Sequence, residues 1–379
     1  MNKIYLLILG LCSTFFAQAQ ITAINILQQT AAKIHLLKSI SYEVKETDIN
    51  PFSVGDTTRS TAKVSIVFTK AGAVNSLLMK TSMNDGKTLL CDIFYKDTLY
   101  SVDLDDSTYV TSKQKPIPDI SSTLDFITNS LKSPSKIFYQ KDTIIAKAAC
   151  YQIFIKSYDT VANGLHNYTY NYIAINKKSL LPTYIRQAGE GSVEKDGHSL
   201  GRLKMFSEKT FFNLKANKRI NDNLFRFDKT IYSIKNTQML ANGAVAPILI
   251  LKDLSNQIVP PASFKHKVLL VEFGGTTCAA NPLANPMLNR LAQKYPSKDF
   301  AIASIYSVET STQVKQYIAG NGIAFPVYLG TKKVLNEFKT IGTPNFYLID
   351  KNGKIIKSSN GYSNELEKEL TAEIDKLVH

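Results

Sequence analysis

Apolar positions along this chain change period several times, and each change predicts an element. Ile24, Leu27, Ala31 and Ile34 recur at helical spacing, which predicts an amphipathic helix over 21–38. Alternating or β-branched runs follow over 41–47, 62–69, 89–95 and 98–102, flanked by the turn-prone clusters Asn84-Asp85-Gly86 and Asp105-Asp106-Ser107. Leu124, Phe126, Ile127 and Leu131 then predict a second helix over 121–131. Strand patterns return over 143–157, 168–176, 182–187 and 203–214, and Tyr168, Tyr170 and Tyr172 share one face of theirs. Many successive strands with two helices predict a large antiparallel sheet curved over its helices.

From residue 246 the pattern becomes an alternation of strands and helices. Short strand signals at 249–254 and 257–259 predict a small hairpin. Val268-Leu269-Leu270-Val271-Glu272-Phe273 reads as a buried strand, Gly274-Gly275-Thr276-Thr277 as a turn, and Met287, Leu288 and Leu291 as the stripe of a helix reaching Tyr295. A strand at 300–306, a helix at 312–319, a strand at 326–329 and a helix at 332–338 come next. A strand after Pro344, a hairpin at Asp350-Lys351-Asn352-Gly353-Lys354 and a closing helix over 364–377 complete the series. Such alternation predicts a mixed sheet with helices on both faces. The fold class is therefore α+β followed by α/β. The expected organisation is a leader over 1–19, a β-rich domain over 20–228, a linker over 229–245 and an α/β domain over 246–379.

The chemistry concentrates on Cys278, in the strand-to-helix turn. A cysteine there lies near unpaired backbone N–H groups at the positive end of a helix, which favours the thiolate and makes it a better nucleophile. The alternative is a small buried residue closing a strand. Cys278, with Pro286 eight residues on and Thr343-Pro344 before a strand and hairpin, resembles the TlpA/ResA-type, envelope-located thiol–disulfide oxidoreductases of thioredoxin-like fold. The resemblance covers about 246–378. It implies a cis bond at Thr343-Pro344 facing the cysteine, and a carboxylate or polar residue at the position of Glu272. Two departures stand out. Asn281 occupies the place of the second cysteine of Cys-x-x-Cys, and Thr277 that of the tryptophan. Cys278 could attack a disulfide, but Asn281 cannot resolve the product, so a thiol from elsewhere must. Asn281 could donate its amide to the Cys278 thiolate, and Glu272, if buried, should have a raised pKa. The first domain resembles, by order of elements alone, the half-barrel of LolA-type periplasmic lipoprotein carriers. The closing Phe211-Phe212-Asn213-Leu214 and Ile220-Asn221-Asp222-Asn223-Leu224-Phe225 fit that order.

Composition alters this picture little. The chain has 379 residues, 44% hydrophobic, 20% charged, with a formal charge of +14. The lysines are dispersed without aromatic-interleaved basic motifs, which argues for a solvated surface over a nucleic-acid site. Lys3, the apolar run 4–12 and Ala17-Gln18-Ala19 predict a secretory signal, and so a periplasmic or cell-envelope location in a bacterium. Leu11 is too large for the usual lipobox before Cys12. No later run is long enough to span a bilayer. Export permits disulfides, so Cys91 and Cys150 could pair or sit apart in the core. The five histidines are scattered without ligand spacing, and no phosphate-loop or dinucleotide motif occurs, so neither metal nor cofactor is expected.

Three readings follow. The first is a monothiol oxidoreductase acting on exported thiol- or disulfide-containing proteins or small thiols, with Cys278, Asn281, Glu272, Thr343 and Pro344 as site residues. The second is a non-catalytic binding scaffold using the groove near Thr343-Pro344. The third is a carrier of an apolar ligand through the first sheet. A peroxidase is disfavoured, because Gly275 stands three residues before Cys278 where such sites have threonine.

Overall fold

The computed structural model describes residues 23–49, 51, 57–83, 87–162, 164–195, 198–235 and 238–378. The expected signal segment and the Asn84-Asp85-Gly86 turn lie outside the described residues. The chain divides into two compact units, one carrying a 13-stranded sheet and the other a seven-stranded sheet.

In the first unit nearly all strand pairs are antiparallel; the short Ser233–Ile234 strand runs parallel to Thr108–Ser112. The helix over 23–35 and the helix Asp119–Ser130 place Leu27, Ile34, Ile120 and Ile127 in one core with Ile40, Val44, Ile66, Ile153, Ile173 and Ile175 of the sheet. Both helices thus cover the same face. The tyrosine row does not join that core. Tyr168, Tyr170 and Tyr172 are half-buried and alternate with Asn171 and Ile173, which are buried. They pack on one another and on Phe154, with ring centroids 4.7–5.4 Å apart, and the Arg186 guanidinium lies 4.4 Å above Tyr172.

Several expectations need correction here. The predicted run 143–157 is two strands, Thr143–Ile145 and Ala148–Ala162, because Ala146 and Lys147 both take positive φ and turn the chain. Val74–Met83 is a strand that the sequence pattern did not indicate. The linker over 229–245 is largely built into the two units. Ser233–Ile234 joins the first sheet and Tyr232 packs there, while Met239, Leu240 and Ala244 pack in the second unit. Cys91 and Cys150 are buried and free. Their strands are separated by most of the sheet order, so they cannot meet.

In the second unit the strand order is Ile258–Val259, Leu251–Lys252, Val327–Leu329, Phe300–Tyr306, Val268–Phe273, Asn345–Ile349, Ile355–Asn360. The central three, from Val327–Leu329 to Val268–Phe273, are parallel. Asn345–Ile349 runs antiparallel to Val268–Phe273, and Ile355–Asn360 antiparallel to Asn345–Ile349. Val268–Phe273 is buried on both faces. Val268 and Leu270 meet the helices Asn281–Lys294, Ser311–Asn321 and Leu366–Val378. Leu269, Val271 and Phe273 meet Val334 and Phe338 on the other face. Sheet order, a buried central strand and helices on both faces make this the thioredoxin-like arrangement.

Candidate active site

Alternation along Val268–Phe273 decides where Glu272 points. It lies on the side of Val268 and Leu270, toward the helix Asn281–Lys294, one step beyond the apolar contacts. There its carboxylate meets the first turn of that helix, 1% exposed. Asn281 Nδ2 donates to Glu272 Oε1 at 2.6 Å, and Ser304 Oγ donates to Oε2. Ser304 reaches it because the parallel register sets Glu272 opposite Ser304. Burial pushes the Glu272 carboxyl up to about 7. The Ser304 and Asn281 hydrogen bonds oppose that rise, and the Glu309 charge adds to it.

Asn281 is fully buried and has turned away from the cysteine. Its Oδ1 accepts the Gly275 N–H at 3.2 Å, while Nδ2 is engaged by Glu272. The expected amide bond to Cys278 is therefore not made: both ends of the amide serve the strand and the turn beneath the thiol. Cys278 itself is half-buried in the turn, with its N–H donating to Gly275 O at 3.1 Å. Its Sγ donates to the Thr343 carbonyl at 3.0 Å. The Thr343-Pro344 bond is cis. Asn345, buried beside it, fixes this loop: Oδ1 accepts from Ile341 N at 2.8 Å and Nδ2 donates to Asn360 Oδ1 at 2.7 Å.

Four further residues belong here that sequence reasoning did not single out. Ser304 is one. Glu309 accepts the Thr276 N–H at 2.9 Å, placing a carboxylate against the backbone two residues before the thiol. Tyr306 and Tyr317 pack 5.8 Å apart below the turn, and burial raises both phenols well above their ordinary range. A polar residue within the apolar run 300–306 was the available signal for Ser304; the others depend on tertiary packing.

Gly274 is required by space. A Cβ there would lie 2.8 Å from Glu272 Oε1, 2.9 Å from Tyr306 Cζ and 3.0 Å from Asn281 Nδ2. Gly274→Ala should destabilise the second unit by about 1–3 kcal/mol, read as a lower thermal midpoint. An unchanged midpoint would contradict this packing.

A half-buried thiol on a strand-to-helix turn, facing a cis-proline loop and lying over a buried carboxylate, defines the class of thioredoxin-fold thiol–disulfide exchange proteins. The Redoxin family model matches residues 241–374. Thiol-disulfide oxidoreductase ResA of Bacillus thuringiensis subsp. konkukian is 30% identical over 120 residues, 31% of this chain and 69% of that protein. ResA of Bacillus subtilis is 25% identical over 139 residues, 36% and 78% of the two chains. Through its second unit, the chain belongs to the ResA family of thiol-disulfide oxidoreductases. Among solved structures, the thioredoxin domain of a Bacteroides vulgatus thiol-disulfide oxidoreductase is 25% identical, covering 36% of this chain and 99% of that one, with a TM-score of 0.33. A thiol:disulfide interchange protein of Chlorobium tepidum is 21% identical, with 37% and 99% covered and a TM-score of 0.33.

Proposed function

We propose that this protein exchanges thiols and disulfides through Cys278 alone, with an external thiol completing the cycle. The observation that carries the reading is the placement of Cys278 Sγ against the Thr343 carbonyl while Asn281 fills the resolving position. The Cys278 thiolate attacks a client disulfide, forms a mixed disulfide and expels one client sulfur as thiolate. An external thiolate attacks Cys278 Sγ and releases the second client thiol. A second external thiol then frees Cys278, leaving the external pair oxidised. One client disulfide is reduced and two external thiols become one disulfide. Glu272 and Asn281 hold the turn, and Thr343-Pro344 forms the wall against which the client chain lies. The clients are disulfide-bearing proteins met after export, directed by residues 1–19, and small thiols serve as the external thiol. For the first unit, the proposal is a half-barrel of lipoprotein-carrier type acting as a scaffold; the face under its helices is filled by side chains such as Leu27, Ile66 and Ile173.

The test is disulfide reduction by the full chain at several external thiol concentrations. The rate should rise in proportion to that thiol, since each resolving step is bimolecular, and Cys278→Ser should abolish it. Activity surviving in Cys278→Ser would overturn the assignment.

A further inference from the structure

At the start of the Val268–Phe273 strand, the end away from Cys278, the second unit has a cavity of about 660 Å³. Its volume falls within the range of roughly 300–1,000 Å³ typical of small-molecule sites. The wall is apolar: Leu249, Leu269 and Ile349 are each at most 6% exposed, and Phe264 adds its ring. Ile248, 70% exposed, stands at the opening.

The rim is basic. Lys265, Lys267, Lys351 and His266 all line the cavity. Among the described residues, no carboxylate forms an ion pair with any of the three lysines. Asp350 is the one acidic residue described in the lining. Its Oδ1 accepts the backbone N–H groups of Asn352 at 2.9 Å and Lys354 at 2.8 Å, and so closes the hairpin turn. The rim therefore carries a surplus of ammonium groups around an apolar wall.

We propose that this cavity binds a small organic anion with an apolar body, of the chemical class of a medium-chain carboxylate. The body packs on the wall formed by Leu249, Leu269, Ile349 and Phe264 and takes the exposed Ile248 side chain out of water. The anionic head accepts charge-assisted hydrogen bonds from the rim lysines. A cation of the same shape meets repulsion. A neutral molecule gains the apolar contact alone. The site is separate from the exchange chemistry and does not depend on it.

The experiment is titration calorimetry of the full chain with sodium octanoate, and in parallel with octylammonium chloride. Saturable one-to-one binding of octanoate is expected, with none detected for octylammonium. The double variant Lys267→Glu/Lys351→Glu should weaken octanoate binding by about tenfold or more, as expected for losing a charged hydrogen bond. Ile248→Asp, at an exposed position that leaves the fold intact, should weaken it as well. Cys278→Ser should bind octanoate like the parent. Absence of saturable octanoate binding would overturn the proposal. So would equal binding of octylammonium, or octanoate binding unchanged in both rim variants. Retention on anionic phosphatidylglycerol vesicles without octanoate binding would also overturn it, marking the rim as a surface patch.

Discussion

Asn281→Cys should convert this protein into a dithiol reductase. The Asn281 N–H donates to the Cys278 carbonyl at 3.2 Å, closing a turn between the two residues. Such a turn holds its ends within about 7 Å, a separation that a disulfide spans. The second sulfur would attack the mixed disulfide within the same molecule. Well-oriented intramolecular attack has an effective concentration of about 10⁵ M or more. Even a small part of that advantage would raise reduction of a protein disulfide by about a hundredfold at fixed external thiol. The dependence on external thiol should then flatten, because release of the client no longer waits for it. The substitution has a cost. Glu272 Oε1 and the Gly275 N–H lose their Asn281 partners, at about 1–3 kcal/mol for each group left unpaired. Lower stability with higher activity is therefore the expected pairing. A variant that folds, forms no disulfide between Cys278 and the introduced cysteine on oxidation, and gains no rate would contradict the placement of Asn281.

Glu272→Gln should remove a pH dependence of stability. The folded protein holds the Glu272 carboxyl near 7, against 4.5 when unperturbed. A carboxyl raised by folding keeps its proton in the native state while the unfolded chain has already lost it. Its contribution is complete below about pH 4.5 and is lost as pH rises through about 7. Above that the carboxylate is ionised in both states, and this group adds no further slope. At 1.36 kcal/mol for each unit, the loss is about 3 kcal/mol. Gln keeps both contacts: its oxygen accepts from Asn281, and its amide donates to Ser304 Oγ. The variant should therefore gain stability relative to the parent between about pH 4.5 and 8, by about that amount. Hydrogen-exchange protection of the Val268–Phe273 strand, converted to free energy at each pH, reads the difference. A constant difference across this range would contradict a raised Glu272.

The parts of this site that were legible in the sequence are local ones. The apolar run to Phe273, the glycine turn, Cys278 and the helix stripe through Leu291 lie in one continuous stretch, so periodicity alone orders them. Thr343-Pro344 was legible for the same reason, with its strand and hairpin directly behind it. Glu272 stood out as a charge within an apolar strand. Ser304, Glu309, Tyr306 and Tyr317 come from neighbouring segments. They reach the site through the parallel register of two strands and the packing of one helix, which sequence order does not display. The direction of the Asn281 amide was equally hidden, since it follows from the buried Glu272 acceptor below it. In the first unit, Val74–Met83 escaped notice because Asn75, Ser76, Lys80 and Ser82 break its apolar alternation, although Leu77 and Leu78 are both buried. The linker looked longer than it is because Ser233–Ile234 is only two residues long, too short a run to read as a strand, and pairs through its backbone.

Cys278 as the single exchanging sulfur is the claim on which the rest depends. The most direct measurement is the intact mass of a Cys12→Ser, Cys91→Ser, Cys150→Ser variant, whose one remaining cysteine is Cys278, incubated in its native state with glutathione disulfide. One glutathione adduct should form at Cys278 and persist, because no second thiol exists to expel it, and added external thiol should then remove it. A protein that stays unmodified until it is unfolded would contradict the account.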